Sequence, residues 1–507
     1  MSDRRRRAHP APRGLPSAEA LSSPPRAVVV GAGIAGLAAA TGLAERGISV
    51  DIIEREEYLG GRVGAWTEQY RGIEVGMNRG FHAFFRQYYN LRALLRRVDP
   101  QLSMLTTVDD YPLIDGAGRR DNFRGLPRTP PWNALAFALR SPTFRLRDLA
   151  RIHARAAAPL AAVSLPDIYR RLDHIDAETF LKSLNFPEAA RHLAFEVFSR
   201  SFFASPTQLS AAELATMFHI YFLGSSEGLI FDVANANFDI ALWQPLQRYL
   251  TELGVRFHQG TAVASVDGGD ACRFRVRTAT GHHLDADAVV LATDVAGLQR
   301  IVAASADLGD DLWRARIAGL RTAPPFVVHR LWLDRPLAAG RPAFLGTAGH
   351  EPLDNISVLD RYERQAATWA GQHGGSVVEL HSYAVEAAQP EDAMASRLHE
   401  LYPETAGAQV VYQRMLHHRD CPLFAPGTYA HRPGVSTPLP GLLLAGDGIR
   451  IDLPVALMER AATTGWSAAN EILAQWGLAG HALCTVPTQG RSALLRFLAG
   501  RERLSQR

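Results

Sequence analysis

Three residue clusters in this chain have the types and spacing to hold a phosphorylated nucleotide. Gly31-Ala32-Gly33-Ile34-Ala35-Gly36 follows Val28-Val29-Val30. The first glycine permits a tight turn, the second a close backbone approach to a pyrophosphate and the third close packing of helix on strand, with the helix N-terminus facing the phosphates. Glu54, followed by Arg55, ends the next β-branched run. A carboxylate about twenty residues past the glycines accepts both hydroxyls of an adenosine ribose and disfavours a phosphorylated one. Gly60-Gly61-Arg62 comes next, two glycines that expose backbone amides and a guanidinium that makes charge-assisted bonds to a pyrophosphate.

Such groups must be held by a βαβ unit: strand 27–30, the glycine turn, a small-residue helix through Arg46, and strand 48–54. Residues 130–225 read as mainly helical, broken at Pro142, Pro159, Pro166, Pro187 and Pro206. β-Branched segments return at 255–258, 261–266, 273–277 and 288–291, then at 325–333, 344, 356–358 and 377–382. An apolar strand at 441–445 and a long helix over 455–476 follow. The expected fold class is α/β. The expected divisions are a disordered tail over 1–25, dinucleotide-binding segments over 26–100, 236–305 and 431–478, a substrate domain over 101–235 and 306–430 that carries the helical insertion, and a C-terminal tail over 479–507.

Composition narrows the function. Fifty-four Lys and Arg against 51 Asp and Glu leave a net charge of +3 in 507 residues, which gives no reason to expect nucleic acid as a partner. Cys272, Cys421 and Cys484 stand far apart without CxxC or CxH spacing, so neither a disulfide framework nor a metal site is expected, and a cytoplasmic location fits. Cys421 reads as a buried structural thiol. The uncharged run 27–44 is long enough to suggest a membrane span, but its four glycines fit the nucleotide turn better. The sequence holds one lysine, Lys182.

The order GxGxxG, Glu54, then Gly60-Gly61-Arg62 resembles the two-dinucleotide-binding flavoproteins of the amine oxidase and phytoene desaturase superfamily. The resemblance implies FAD bound to a Rossmann-like domain with an interleaved, mixed-sheet substrate domain. Leu442-Leu443-Leu444-Ala445-Gly446-Asp447 is similar to the second FAD motif of that group, and 289–294 to its returning strand, which places Ala292 at the cofactor. The resemblance also assigns Val263 to the adenine, and Met458 and Ala461 to the helix start that faces the flavin. Amine oxidases of this fold use a lysine in the substrate sheet; Lys182 falls in the helical region, so an amine substrate is disfavoured.

Gly80-Phe81-His82-Ala83-Phe84-Phe85 with Tyr88-Tyr89-Asn90-Leu91 looks like a carotene desaturase signature, a glycine turn beside aromatic walls suited to a flat polyene. With Cys421-Pro422-Leu423-Phe424, Arg432-Pro433 and 447–461, the chain resembles the carotene desaturase/methyltransferase group, of the isorenieratene synthase type, which aromatises the β-ring of β-carotene. That resemblance implies a carotenoid substrate and a quinone or oxygen as electron acceptor. Asp452, Glu459 and His82 are the candidate catalytic groups, the two acids as stabilisers of a cationic intermediate; ion pairs with Arg450 and Arg460, and a structural ring at His82, are the competing readings. Acyclic carotene desaturation, carotene isomerisation and prenyl-lipid escort are the alternatives. Apolar residues from Trp132 to Ile152 interleaved with Arg140, Arg145, Arg147, Arg151 and Arg155 suggest a helical insertion that faces an anionic membrane surface.

Overall fold

A computed structural model describes residues 3–108, 110–144, 151, 153–187, 202–268, 273–385, 391–490 and 496–497. The valine run Arg26–Val30 lies at the centre of a five-stranded parallel sheet in the order Arg256–His258, Ser49–Ile53, Arg26–Val30, Ala288–Leu291, Leu442–Leu444. The central strands are covered on both faces, and so residues 27–30 and Ala288–Leu291 read as continuous apolar runs with no alternation; Ser49–Ile53 is interrupted by Asp51, which pairs with Arg256 and His258. On one face the helices Ile34–Ala44 and Leu457–Gln475 pack against each other through small residues. A Cβ on Gly465 would sit 2.1 Å from the Ala35 carbonyl oxygen, so this pair admits nothing larger. The other face carries the helix Val295–Ala304 and a three-stranded antiparallel sheet, Val263–Gly268, Phe274–Thr278 and His283–Ala286.

A second, seven-stranded sheet runs Val410–His418, Phe326–Leu333, Ser376–Ser382, Asn355–Val358, Phe344–Thr347, Leu113–Ile114, Arg120–Asp121. Its pairs are antiparallel except Phe344–Thr347 with Leu113–Ile114. Every residue of Phe326–Leu333 and of Ser376–Ser382 is buried, including Arg330, Glu379 and His381. Within the segment expected to be purely nucleotide-binding, the hairpin Ala65–Tyr70 and Ile73–Asn78 departs from that division. Val75 and Met77 pack with Phe326, Val328 and Trp332 of the second sheet.

The tail expectations do not hold for the described residues. Arg7–His9 pairs antiparallel with Leu483–Thr485, Ala18 is fully buried, and buried Asp3 accepts the Ser226 amide at 2.8 Å. Residues 3–25 carry little apolar periodicity, but backbone pairing to a distant segment offsets the ordering entropy that their own side chains cannot. The helical region contributes Trp132–Arg140, Ala154–Ala161, Asp167–Leu172, Ala177–Ser183 and Ala211–Phe218. Of the basic, apolar segment, Arg145, Leu146, Arg147, Leu149, Ile152 and the side chain of Arg155 lie outside the described residues. No helix among the described residues is long and apolar enough to cross a membrane.

Candidate active site

One cavity of about 2540 Å³, counted to its open mouth, runs from the end of the parallel sheet to the face of the second sheet. Its walls run from Gly33, Glu54 and Arg62 at one end to Phe231, Phe344 and Tyr383 at the other.

The nucleotide end is built from strand ends and helix starts. Gly33 caps the helix Ile34–Ala44 in extended backbone, and a Cβ there would meet only Gly61 Cα at 3.9 Å, so its inner side opens on the cavity. Gly36 is different: its Cβ would fall 1.9 Å from the Gly31 carbonyl oxygen, and the residue serves packing rather than lining the cavity. Glu54 Oε2 accepts the Ala32 amide at 2.6 Å and Oε1 the Glu56 amide at 2.9 Å. Burial raises its pKa against those bonds. Arg62 pairs with Asp447, whose carboxylate raises the Arg62 pKa despite the opposing effect of burial. Gly31, Ile34, Ala35, Arg55, Gly60, Gly61, Val263, Ala292, Gly446, Met458 and Ala461 line the same space.

The far end is aromatic. Phe81 lies 4.5 Å from Phe344, Phe85 5.3 Å and Tyr111 4.7 Å from Phe231, and Phe203 4.8 Å from Phe326, measured between ring centroids. His82 lines this wall; its Nδ1–H donates to the Gly80 carbonyl at 2.9 Å, and burial drops its pKa to about 4, so the ring is neutral at pH 7. Gly80 itself does not line the cavity. With φ at +108° it clears space for His381, whose Cε1 would be 2.8 Å from a Cβ there.

The model of the family described as flavin containing amine oxidoreductase matches residues 34–473, which takes in four strands of the parallel sheet and the whole of the second sheet. The chain belongs to that family.

This flavin containing amine oxidoreductase is 56% identical to a carotenoid phi-ring synthase of Streptomyces griseus, over 98% of this chain and 96% of the relative. It is 28% identical to a carotenoid phi-ring synthase of Chlorobaculum tepidum, over 93% and 92%. A zeta-carotene desaturase of Synechocystis is 26% identical over 89% of this chain and 97% of its own length. Among solved structures, cyclohexylamine oxidase from Brevibacterium oxydans superposes with a TM-score of 0.64 at 16% identity, covering 90% of this chain and all of that one. The shared fold is that of the family.

The residues present fit FAD. The helix N-terminus beside Gly33 and the guanidinium of Arg62 suit a pyrophosphate, and Glu54 stands at the strand end where a ribose is held. Thr293 Oγ1, on the cavity wall, is buried without a partner among the described residues. The protein is an FAD-dependent oxidoreductase.

The family's lysine chemistry is missing from the cavity. Lys182 sits on the helix Ala177–Ser183, half-exposed and paired with Glu178. Two candidate catalytic acids also lie elsewhere. Glu459 is buried outside the cavity lining and accepts the backbone amides of Asn90 and Leu91 at 2.8 and 2.9 Å, capping the helix Tyr89–Leu95. Burial pushes its pKa up to about 8. It does not pair with Arg460, which binds Glu213 together with Arg432, each at 2.8 Å. Asp452 is exposed, accepts the Tyr429 hydroxyl at 2.5 Å and lies 4.0 Å from Arg450. Cys421 does line the cavity, but burial pushes its thiol up to about 12, so it remains protonated.

Besides His82, the aromatic end receives polar groups that the sequence reading missed: Asp354, Asn355, His381 and Tyr383. A signal was available. Glu379, His381 and Tyr383 stand at alternate positions in and just after the segment 377–382 read as a strand, and period two puts such residues on one face.

Proposed function

We propose that this oxidoreductase converts the β-ring of a carotenoid, β-carotene first, into an aromatic ring of the isorenieratene type. The observation that carries the reading is the aromatic-walled, largely apolar half of the cavity, continuous with the nucleotide end and without a lysine. The similarity to carotenoid phi-ring synthases supports the choice of ring.

FAD, when bound, supplies a two-electron acceptor for hydride from the substrate. The ring carries a quaternary carbon with two methyls, so desaturation alone cannot make it aromatic and one methyl must move. Loss of hydride from the neighbouring carbon creates a cation, a 1,2-methyl shift relocates it, and loss of a proton closes the sextet. A preceding desaturation supplies the other ring double bond, so each ring gives up two hydrides and two protons. The walls of Phe81, Phe231 and Phe344 hold the flat polyene, exclude water and present ring faces that stabilise a passing cation. That is the part assigned from sequence to Asp452 and Glu459.

We also infer a cytoplasmic protein that rests on the membrane from which its substrate comes and passes electrons to a quinone or oxygen. Trp132, Leu135 and Leu139, spaced along one face of the helix Trp132–Arg140, are 60%, 46% and 58% exposed, with exposed Arg140 beside them. On the buried side, Phe137 stacks on Phe123 and Phe123 on Tyr111 of the cavity wall, so this apolar face stands over the aromatic end. The test is expression in a β-carotene-producing cell with mass analysis of the pigments. The product should lose four hydrogens per ring and gain no carbon. Conversion of phytoene with β-carotene untouched, or labelled methyl taken from S-adenosylmethionine, would refute the reading.

A further inference from the structure

At the aromatic end, Tyr383, His381 and Glu379 form a chain of hydrogen bonds that ends on the cavity wall. His381 Nε2 lies 2.8 Å from Glu379 Oε1, and His381 Nδ1 2.9 Å from the Tyr383 hydroxyl. Glu379 is fully buried. Its second oxygen takes bonds from Arg330 Nε at 2.9 Å and Nη2 at 2.6 Å. Burial opposes ionisation, but Arg330 and the His381 bond outweigh it and hold the pKa at about 2, so this is a carboxylate acceptor. An acceptor at 2.8 Å fixes the imidazole proton on Nε2. The Phe81 amide, 3.3 Å from the same nitrogen, then faces a donor and makes no hydrogen bond to it. Nδ1 is left with a lone pair, and the Tyr383 O–H donates to it. Asn355 Nδ2 donates to the Tyr383 oxygen at 2.9 Å, which orients the hydroxyl. Both His381 and Tyr383 line the cavity, and Tyr383 is partly open to it.

This order of a hydroxyl, an imidazole and a buried carboxylate is the arrangement that lets an oxygen take a proton while its own passes to the ring behind it. We propose that Tyr383 and His381 are catalytic residues that remove the ring proton after the methyl shift, with Glu379 and Arg330 as positioning residues. The inference rests on the aromatisation reading. In the step, the substrate C–H bond breaks and its electron pair closes the aromatic sextet. The proton goes to Tyr383 Oη, the Tyr383 proton moves to His381 Nδ1, and the imidazolium is held against the Glu379 carboxylate. The step involves no oxidant, because the hydride has already left. It also places the base at the aromatic end, beside Asp354, which takes the Tyr383 backbone amide at 2.5 Å, and where neither a lysine, an ionised cysteine nor an acid at 452 or 459 is in reach.

The test separates hydride loss from proton loss. Tyr383→Phe keeps the ring that packs edge-on against Phe203 at 5.0 Å and removes only the hydroxyl. Purified, FAD-loaded protein is mixed with β-carotene in liposomes, and two signals are followed: bleaching of the flavin absorbance in an anaerobic arm, and aromatic product by mass in an arm supplied with a quinone or oxygen, because each ring yields two hydrides and the flavin must be reoxidised between them. The expected result is normal FAD content and bleaching within about 3-fold of the parent, with aromatic product down roughly 100-fold or more, the size of a lost acid–base group. Partly oxidised ring species should accumulate. His381→Gln should show the same split. The proposal is overturned if Tyr383→Phe makes aromatic product at the parental rate, or if bleaching and product fall in equal proportion, as a packing defect would give. If the parent itself leaves β-carotene unchanged, the aromatisation reading fails first. The relay then fails with it unless the same split between bleaching and product appears on the carotenoid that the parent does oxidise.

Discussion

Substitution of Gly33 by valine tests the nucleotide end without testing the fold. Gly33 has φ −73° and ψ 178°, extended backbone open to any residue, and its Cβ direction is empty to 3.9 Å. The apoprotein should therefore fold, with a melting temperature within about 2 °C of the parent's, a sub-kilocalorie change for a chain this long. The valine methyls occupy the space where a pyrophosphate meets the helix N-terminus. Overpacking there costs about 1–3 kcal/mol. Displacement of the anion from the helix end costs about 0.3–2 kcal/mol more. Together this is a loss of affinity of roughly tenfold to several thousandfold. Titration of stripped protein with FAD, read by quenching of flavin fluorescence, measures it. Gly36→Ala is the control: its Cβ would fall 1.9 Å from the Gly31 oxygen, so it should unfold or destabilise the apoprotein itself. Parental FAD affinity in Gly33→Val, or a melting loss equal to that of Gly36→Ala, would refute the placement of the cofactor.

Glu54→Arg should purify without flavin and gain no stable NADP binding, because it puts a cation at the buried carboxylate beside Ala32; absorbance at 450 nm and nucleotide titration report both. Glu459 has a folded pKa near 8, above the ordinary carboxyl value, so the folded state holds a proton that the unfolded state releases. Stability from this group is complete below about pH 4.5 and declines as pH rises toward 8; Glu459→Gln should flatten that part of a denaturation-versus-pH curve. Cys421→Ser should keep turnover within about 3-fold, since a thiol with a pKa near 12 offers no thiolate at neutral pH. Replacing Trp132, Leu135 and Leu139 together by serine should shift the protein from liposome pellet to supernatant, and high salt alone should do so only partly, because screening weakens charge but not apolar insertion.

The nucleotide end was legible because backbone chemistry dictates it: a turn against phosphates needs glycine at Gly31 and Gly33 whatever surrounds it, and the carboxylate at Glu54 has one place to stand. The strands 27–30, Ala288–Leu291 and Leu442–Leu444 were legible because burial on both faces leaves an unbroken apolar run. The aromatic end was legible only as composition. Which rings face one another depends on the register of the second sheet, set by pairings such as Val328 with His381 and His329 with Leu380, and no local pattern encodes them. Glu459 and Asp452 were misplaced because adjacency in sequence to a flavin motif says nothing of which way a side chain leaves the helix. Glu459 follows Met458, which lines the cavity, yet points to the amides of Asn90 and Leu91. The terminal strands escaped because each is three residues long and is defined by its partner.

The strand Leu442–Leu444 closes the edge of the parallel sheet beside Ala288–Leu291, and the helix Leu457–Gln475 covers that sheet. On a ribosome, the glycine turn that starts the cofactor site emerges about 410 residues before the strand that completes it. Until Leu442–Leu444 emerges, the nascent chain therefore displays an unpaired apolar edge, the kind of surface that invites aggregation and chaperone attention. Flavin can rescue such a chain only once Leu442–Leu444 and Asp447 have emerged, so a fragment ending before that strand should gain no yield from added riboflavin.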